Sequence, residues 1–292
     1  MSYFGIIGAS SMLGKELVRQ LLARGDSVIK IGRDVDNDIS FDLTSEFKSL
    51  KSKIPKIDTI FHCASAFEND ESHGLKINFQ TNAFGSLNVL SLMKALGCHH
   101  SCFAGTLSSY NTFDPRGMNG YALSKAQGEK ILEWGLSNLG GIFCSLRFTQ
   151  LYDSEGLCCN HQPWFGRIIA YASRGKNINL PESKGVRNYM HVSDAALLMI
   201  NSAEKKLEGY FPACHTEYLT HTEIALMANK AFNSKGQVMI DDKKAPFRTL
   251  NYPDEKILFK ELSNKAKITM EEGLNIIATS SNVERYGPMD IQ

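Results

Sequence analysis

Two spacings of apolar residues alternate along the first half of the chain. Apolar runs of strand length occur at residues 4–7, 27–32, 59–63, 101–105 and 141–148. Between them apolar positions recur every three or four residues, the period of a helix with one buried face. Over 15–24 that stripe is Leu17, Val18, Leu21 and Leu22, and Gly25 stops it. Over 75–96 Phe79, Ala83, Leu87, Leu90 and Met93 share a face, and Gly97 ends the run. A second long helix is expected from about Gly120 to about Leu139. Phe41-Asp42-Leu43 closes a short third strand, and Thr44 is placed to cap a helix over 45–51. Strands alternating with helices predict an α/β fold, a doubly wound parallel sheet. From about Gln150 the pattern changes. Helices at 164–173 and 194–205 come without regular strands between them. The expected division is therefore a doubly wound domain over 1–150 and a smaller region over 151–292 that returns some segments to the first.

Composition narrows the class. The chain has 292 residues, 43% of them hydrophobic and 22% charged, enough for a large buried core. A net charge of +1 supplies no global field for nucleic acid or a membrane surface, and neither is expected as a partner. No apolar run is long enough to cross a bilayer. The chain enters a strand at once, so no signal peptide is expected. An odd count of 7 cysteines without framework spacing suits a reducing compartment, and the cytoplasm is the expected location.

The first strand runs into Gly8-Ala9-Ser10-Ser11-Met12-Leu13-Gly14 and then a helix. A strand, a glycine-bearing turn and a helix form the first half of a dinucleotide-binding βαβ unit. Gly8 lets the chain turn tightly, Gly14 lets the helix approach the sheet, and free amides at the helix start favour a pyrophosphate. Gly8, Ser10, Ser11, Met12, Leu13 and Gly14 are therefore candidate cofactor contacts. The tip of the second strand reads Ile31-Gly32-Arg33-Asp34. In such units an acid there binds the ribose 2′-hydroxyl, whereas an arginine accommodates a 2′-phosphate. Gly32 followed by Arg33 favours NADP over NAD. The alternative makes Arg33 a solvated loop cation and gives the ribose to Asp34.

The strongest chemical signal is Tyr121-Ala122-Leu123-Ser124-Lys125. Residues four apart on a helix share a face. A phenol near pKa ~10 is a poor acid–base group at neutral pH, and a neighbouring ammonium is expected to lower it. Lys125 can also bond the nicotinamide ribose. Thr106, at the end of the fifth strand, offers a hydroxyl to the same carbonyl oxygen. His62 is read as a packed core histidine.

These residues, in this order, resemble an extended short-chain dehydrogenase/reductase. The similar branch is that of NAD(P)-dependent epimerases, dehydratases and reductases acting on nucleotide sugars, with a Rossmann sheet. Gly8-x-x-Ser11-x-x-Gly14 matches its glycine turn with serine in place of the middle glycine. Asp42-Leu43 matches the pair at the adenine, and Cys63, Ala64 and Ser65 match the cofactor-lining strand end. Asn82 falls in the family's asparagine helix. Phe103-Ala104-Gly105-Thr106 resembles the segment that ends in the catalytic hydroxyl, with Gly105 replacing a serine. Arg147 to Tyr152 and Arg187 to Asp194 match later landmarks, and the resemblance places Arg187 near the sugar nucleotide's phosphates. It further implies a homodimer through the helices at 75–96 and 121–139.

The departures select a reaction. Family members that dehydrate sugars carry an Asp-Glu pair after the catalytic hydroxyl, and here Leu107-Ser108 follows Thr106. An epimerase usually retains NAD tightly, which the Gly32-Arg33 tip opposes. The expected activity is NADP-dependent reduction of a keto group on a nucleotide-activated sugar, with the proton from Tyr121. The rivals are an NAD-dependent nucleotide-sugar epimerase and a non-catalytic cofactor-sensing scaffold. Cys98-His99-His100-Ser101-Cys102 has metal-site composition, but Cys102 falls in a buried strand and no metal is expected. Cys158-Cys159-Asn160-His161 lies in the expected substrate loop, where a second acid for epimerisation would stand; a surface loop without chemistry is the simpler reading.

Overall fold

The computed structural model describes residues 2–50 and 53–289. In chain order the first unit supplies β1 (Tyr3–Ile7), α1 (Met12–Ala23), β2 (Ser27–Gly32), β3 (Ile39–Ser40) and β4 (Thr59–His62). Next come α2 (Ser72–Asn78), a π-helical stretch (Phe79–Phe84), α3 (Gly85–Leu96), β5 (His100–Thr106), α4 (Gly120–Asn138) and β6 (Ile142–Phe148). The chain then makes β7 (Gln150–Tyr152), α5 (Pro163–Ser173), β8 (Ile178–Leu180), β9 (Tyr189–His191), α6 (Val192–Glu204) and β10 (Gly209–Ala213). It ends with α7 (His221–Ala231), β11 (Val238–Ile240), α8 (Lys256–Leu262) and α9 (Met270–Thr279).

The central sheet has seven strands in the order β10-β6-β5-β4-β1-β2-β3, every pair parallel. Order reverses beside β1, the switch point at which such sheets open a ligand crevice beyond their strand ends. Because helices cover both faces, the strands read as continuous apolar runs rather than alternating ones. On one face Ile7, Ile31, Ile60 and Phe103 pack with Val89, Leu92 and Met93 of α3 and Leu132 and Leu136 of α4. On the other, the Cys102 thiol reaches the Met199 carbonyl of α6, 3.8 Å away.

Three expectations change. No helix forms over 45–50, and position 51 lies outside the described residues. Asp42 accepts from both the amide and the hydroxyl of Thr44 at 2.8 Å, a turn that competes with helix initiation. Phe47, Leu50 and Ile54 then pack on the core as an irregular cover. The third strand is also shorter than expected and stops at Ser40, before Phe41-Asp42-Leu43. The helix over 75–96 is real but interrupted by the π-helical turn at Phe79–Phe84, and such turns concentrate at functional sites.

The chain divides into two compact units: Met1–Phe148, Ala196–Ala213 and Lys256–Asn264 form one, and Thr149–Ala195, Cys214–Glu255 and Lys265–Gln292 the other. The second unit is built on α5, α7 and α9, with two short parallel pairs, β7–β9 and β8–β11. Reciprocal capping boxes, Thr220 with Glu223 and Thr269 with Glu272, start α7 and α9.

Candidate active site

The glycine turn takes the form a pyrophosphate requires. Gly8 sits at φ +82°, and a Cβ there would lie 2.7 Å from the Ala64 amide nitrogen. Any side chain at Gly14 would run into the Gly8 carbonyl oxygen, so α1 starts directly against the turn. Ser11 is the N-cap: its hydroxyl accepts from the Gly14 amide at 3.1 Å. That explains the serine at the middle-glycine position, since it closes the helix end. The amides of Met12 and Leu13 remain first-turn donors without intrahelical partners. Ser10 is exposed beside them. The turn fits a dinucleotide.

At the tip of β2, Arg33 is exposed. A Cβ at Gly32 would meet the Asn37 amide nitrogen at 3.0 Å, so Asn37 fills the place of a side chain there. Asp34, Asp36 and Asp38 share this loop, and Asp38 accepts from the Lys30 amide at 2.7 Å. Asp42 is engaged with Thr44, while Leu43 is buried and its carbonyl accepts from Asn88 at 2.9 Å.

Beyond β4 the chain passes Cys63, Ala64, Ser65 and Ala66 beside the turn. Burial pushes the Cys63 thiol up to about 12, so it stays neutral. His62 is 1% exposed, packs edge-on against Phe103 at 5.0 Å, and is lowered by burial to about 3; it is a core residue. Asn82 is committed within the protein. Its carbonyl accepts from the Ala66 amide at 2.8 Å, and its amide donates to the Ala66 carbonyl at 2.9 Å and to Ser124 at 3.0 Å. It clamps the segment after β4 to α4.

Helix α4 carries Tyr121 and Lys125. Asn119 caps it, accepting from the Ala122 amide at 2.9 Å, and Asp70 accepts from the Gly120 amide at 2.9 Å. Lys125 is 2% exposed; its ammonium donates to the Ala104 carbonyl of β5 at 2.7 Å and lies 4.0 Å from the Phe103 ring centre. Burial lowers it to about 8, with Glu129 opposing the fall. The Tyr121 ring packs edge-on against Phe67 at 4.6 Å, and Ser65 hydrogen-bonds its phenol. The phenol's pKa rises to about 12 through burial, offset in part by Ser65. The expectation that Lys125 brings the phenol down is therefore corrected: burial and the Glu129 charge both raise it, and they outweigh the Ser65 hydrogen bond. Thr106 ends β5, and its hydroxyl oxygen accepts from the Ser108 amide at 3.3 Å. Thr106, Tyr121, Lys125, Ser65 and the glycine turn all belong to the first unit.

Arg187 belongs to the second unit. It is 7% exposed, donates to the Val186 carbonyl at 2.8 Å and lies over the Phe247 ring at 5.8 Å, with His221 and Trp164 on the same ring. Also in that unit, the Cys159 thiol falls to about 7 because Cys158 donates a hydrogen bond to it. The other cysteine–histidine motif is engaged elsewhere: Cys98 donates to the His100 carbonyl at 3.4 Å, and His100 bonds Thr59 at 2.9 Å.

The family model of the NAD dependent epimerase/dehydratase family matches residues 5–210. The chain belongs to this family. A UDP-glucose 4-epimerase from Streptococcus mutans is 23% identical over 239 residues, 67% of this chain and 71% of that protein. A dTDP-4-dehydro-6-deoxy-D-allose reductase from a Streptomyces species is 23% identical over 288 residues, 84% of this chain and 87% of that protein. The fold is shared with the structure of RMD from Pseudomonas aeruginosa complexed with NADPH, at TM-score 0.80, 17% identity and coverage of 97% and 98% of the two chains. The protein is an NAD(P)-dependent oxidoreductase of the extended short-chain dehydrogenase/reductase type.

For this epimerase/dehydratase family member, sequence reasoning missed Phe67, which packs on Tyr121, and Ser124, which bridges Asn82 and the Tyr121 carbonyl at 2.8 Å. It also passed over Glu129, although the four-residue step from Tyr121 to Lys125 to Glu129 was legible.

Proposed function

We propose that this enzyme reduces a keto group on a nucleotide-activated sugar, using NADPH. The observation that carries this reading is the tip of β2, where Gly32 stands in the place of an acid and Arg33 is exposed, which suits the exchangeable NADPH of a reductase. The Tyr121 phenol, raised by burial to about 12, holds its proton at neutral pH and serves as donor to an alkoxide forming at the carbonyl oxygen. The bound cofactor would supply the hydride. Thr106 orients the carbonyl oxygen, and Lys125, still mostly protonated at neutral pH, stabilises the phenolate left behind and holds the nicotinamide ribose. Arg187 supports the sugar-nucleotide assignment. Among the described residues it has no carboxylate partner, and a buried guanidinium favours a diphosphate.

Gly32 and the exposed Arg33 support NADP. Asp34, Asp36 and Asp38 in the same loop favour the second reading, an NAD-dependent epimerase. Exposed Phe84 and Leu87, and Leu123 and Trp134 on α4, support a homodimer formed by this pair of helices. Seven free thiols support a reducing, cytoplasmic location.

The test is NADPH consumption with a panel of dTDP-, UDP- and GDP-linked 4-keto sugars. Turnover with at least one is expected, and Tyr121→Phe should lower it by at least about 100-fold while leaving NADPH affinity within about threefold. Interconversion of 4-epimers without net NADPH use would place the epimerase reading first.

A further inference from the structure

Helix α4 carries a third buried polar group in line with its reactive pair. Tyr121, Lys125 and Glu129 stand at four-residue steps on one stripe of the helix. Glu129 is 0% exposed and held from β6. Its carboxylate accepts from Arg147 Nη2 at 2.7 Å and Nε at 3.2 Å, and from the Ser145 hydroxyl at 2.6 Å. Arg147 is in turn fixed over the rings of Tyr110 and Tyr210, at 4.4 and 4.7 Å. In the sheet register Gly105 lies opposite Arg147. A Cβ at Gly105 would come within 2.5 Å of both the Glu129 carboxylate and the Ser145 hydroxyl. The serine seen at this point in the family resemblance has no room here.

We propose that Glu129 is a positioning residue for the active-site pair, its anchored carboxylate keeping the Lys125 ammonium charged, and that Gly105 is the vacancy that admits it. The inference rests on the reading of Lys125 as the cofactor-holding lysine. The groups around the ammonium leave Glu129 as the effective counter-charge. From β4 and the residue after it come His62 and Cys63, both neutral at working pH. From β5 and β6 come the buried thiols Cys102 and Cys144, and Arg147, a second cation that shares the Glu129 carboxylate with Lys125. On α4 itself stands the protonated Tyr121; Tyr110 faces Arg147, and His73 and Lys76 of α2 are exposed to solvent. Removing Glu129 takes away the negative charge and leaves the Arg147 charge unmatched. Both changes release the Lys125 proton at lower pH.

The experiment is NADPH affinity as a function of pH, followed by nicotinamide fluorescence, on folded protein verified by circular dichroism. Wild type should show an alkaline loss of affinity that Lys125→Met abolishes. Glu129→Gln should move its midpoint down by about one pH unit. Glu129→Gln with Arg147→Met, which removes both charges, should return the midpoint most of the way. Gly105→Ala, which displaces the carboxylate without deleting it, should shift the midpoint in the same direction and serves if Glu129→Gln does not fold. An alkaline limb absent from wild type, or surviving in Lys125→Met, overturns the reading of Lys125. A Lys125-dependent limb unmoved by Glu129→Gln and Gly105→Ala overturns the role of Glu129. So does a shift that persists undiminished in the charge-free double variant, because it would then be structural.

Discussion

Two arginines, one in each unit, are both buried and are partnered in different ways. Arg147 is 9% exposed and neutralised by the protein: two nitrogens bond Glu129, and two tyrosine rings cover the guanidinium. Arg187 is 7% exposed and held by a neighbouring backbone carbonyl and an aromatic face. A matched buried charge belongs to the scaffold, whereas the proposed function keeps a charge matched only by a carbonyl dipole for a ligand. Arg147 sits on a seven-residue strand of the main sheet, and Arg187 follows a loop and adjoins a three-residue strand. On the proposed reading chemistry stands on the sheet and recognition on the irregular unit.

The largest test of this contrast is Arg147→Ala. It leaves Glu129 buried without its partner and is expected to cost about 3–5 kcal/mol of stability, visible as a lower denaturant midpoint. The charge-free pair Glu129→Gln with Arg147→Met should recover most of that loss. Arg187→Ala should behave in reverse, weakening sugar-nucleotide binding by about 1.5–3 kcal/mol in a calorimetric titration while the midpoint barely moves. Equal stability losses in the two alanine variants would break the contrast.

Acid sensitivity gives a smaller, graded test. Burial lowers His62 and His221 to about 3 and His100 to about 4, against an unfolded value near 6.5. The unfolded chain therefore binds more protons below pH ~6.5. The stability these neutral histidines carry is complete above that pH and is lost as pH falls toward the folded values. Each accounts for up to about 1.4 kcal/mol per pH unit in that window, measured as denaturant midpoints from neutral pH to about pH 5. A flat profile would contradict their burial as neutral rings. The smallest effect is expected at the exposed Arg33: alanine there should weaken NADPH by roughly tenfold and NADH hardly at all.

How much of this could be read in advance follows the same division. The strands and helices around the glycine turn were legible because both faces of a parallel sheet demand unbroken apolar runs. The Tyr121–Lys125 step was legible because helix periodicity alone brings the two to one face. The segment 45–50 misled because Ser-Glu-Phe-Lys-Ser-Leu has helical composition, while the Asp42–Thr44 turn and the packing of Phe47 decide its path. The phenol's direction of shift was missed because desolvation is set by tertiary burial. Gly105 looked like a lost serine until the Glu129 carboxylate appeared beside it. In the second unit, three-residue strands and an aromatic cluster assembled from Trp164, His221 and Phe247 leave no period to read.

The most direct measurement is a fluorescence titration of the purified protein with NADPH and NADH, after assay for nucleotide carried through purification. A reductase that exchanges cofactor each turnover predicts no retained nucleotide and NADPH binding at least about tenfold tighter than NADH. Tightly retained NAD, or a preference for NADH, would contradict the NADP-dependent reductase and make the enzyme an epimerase that regenerates its own cofactor.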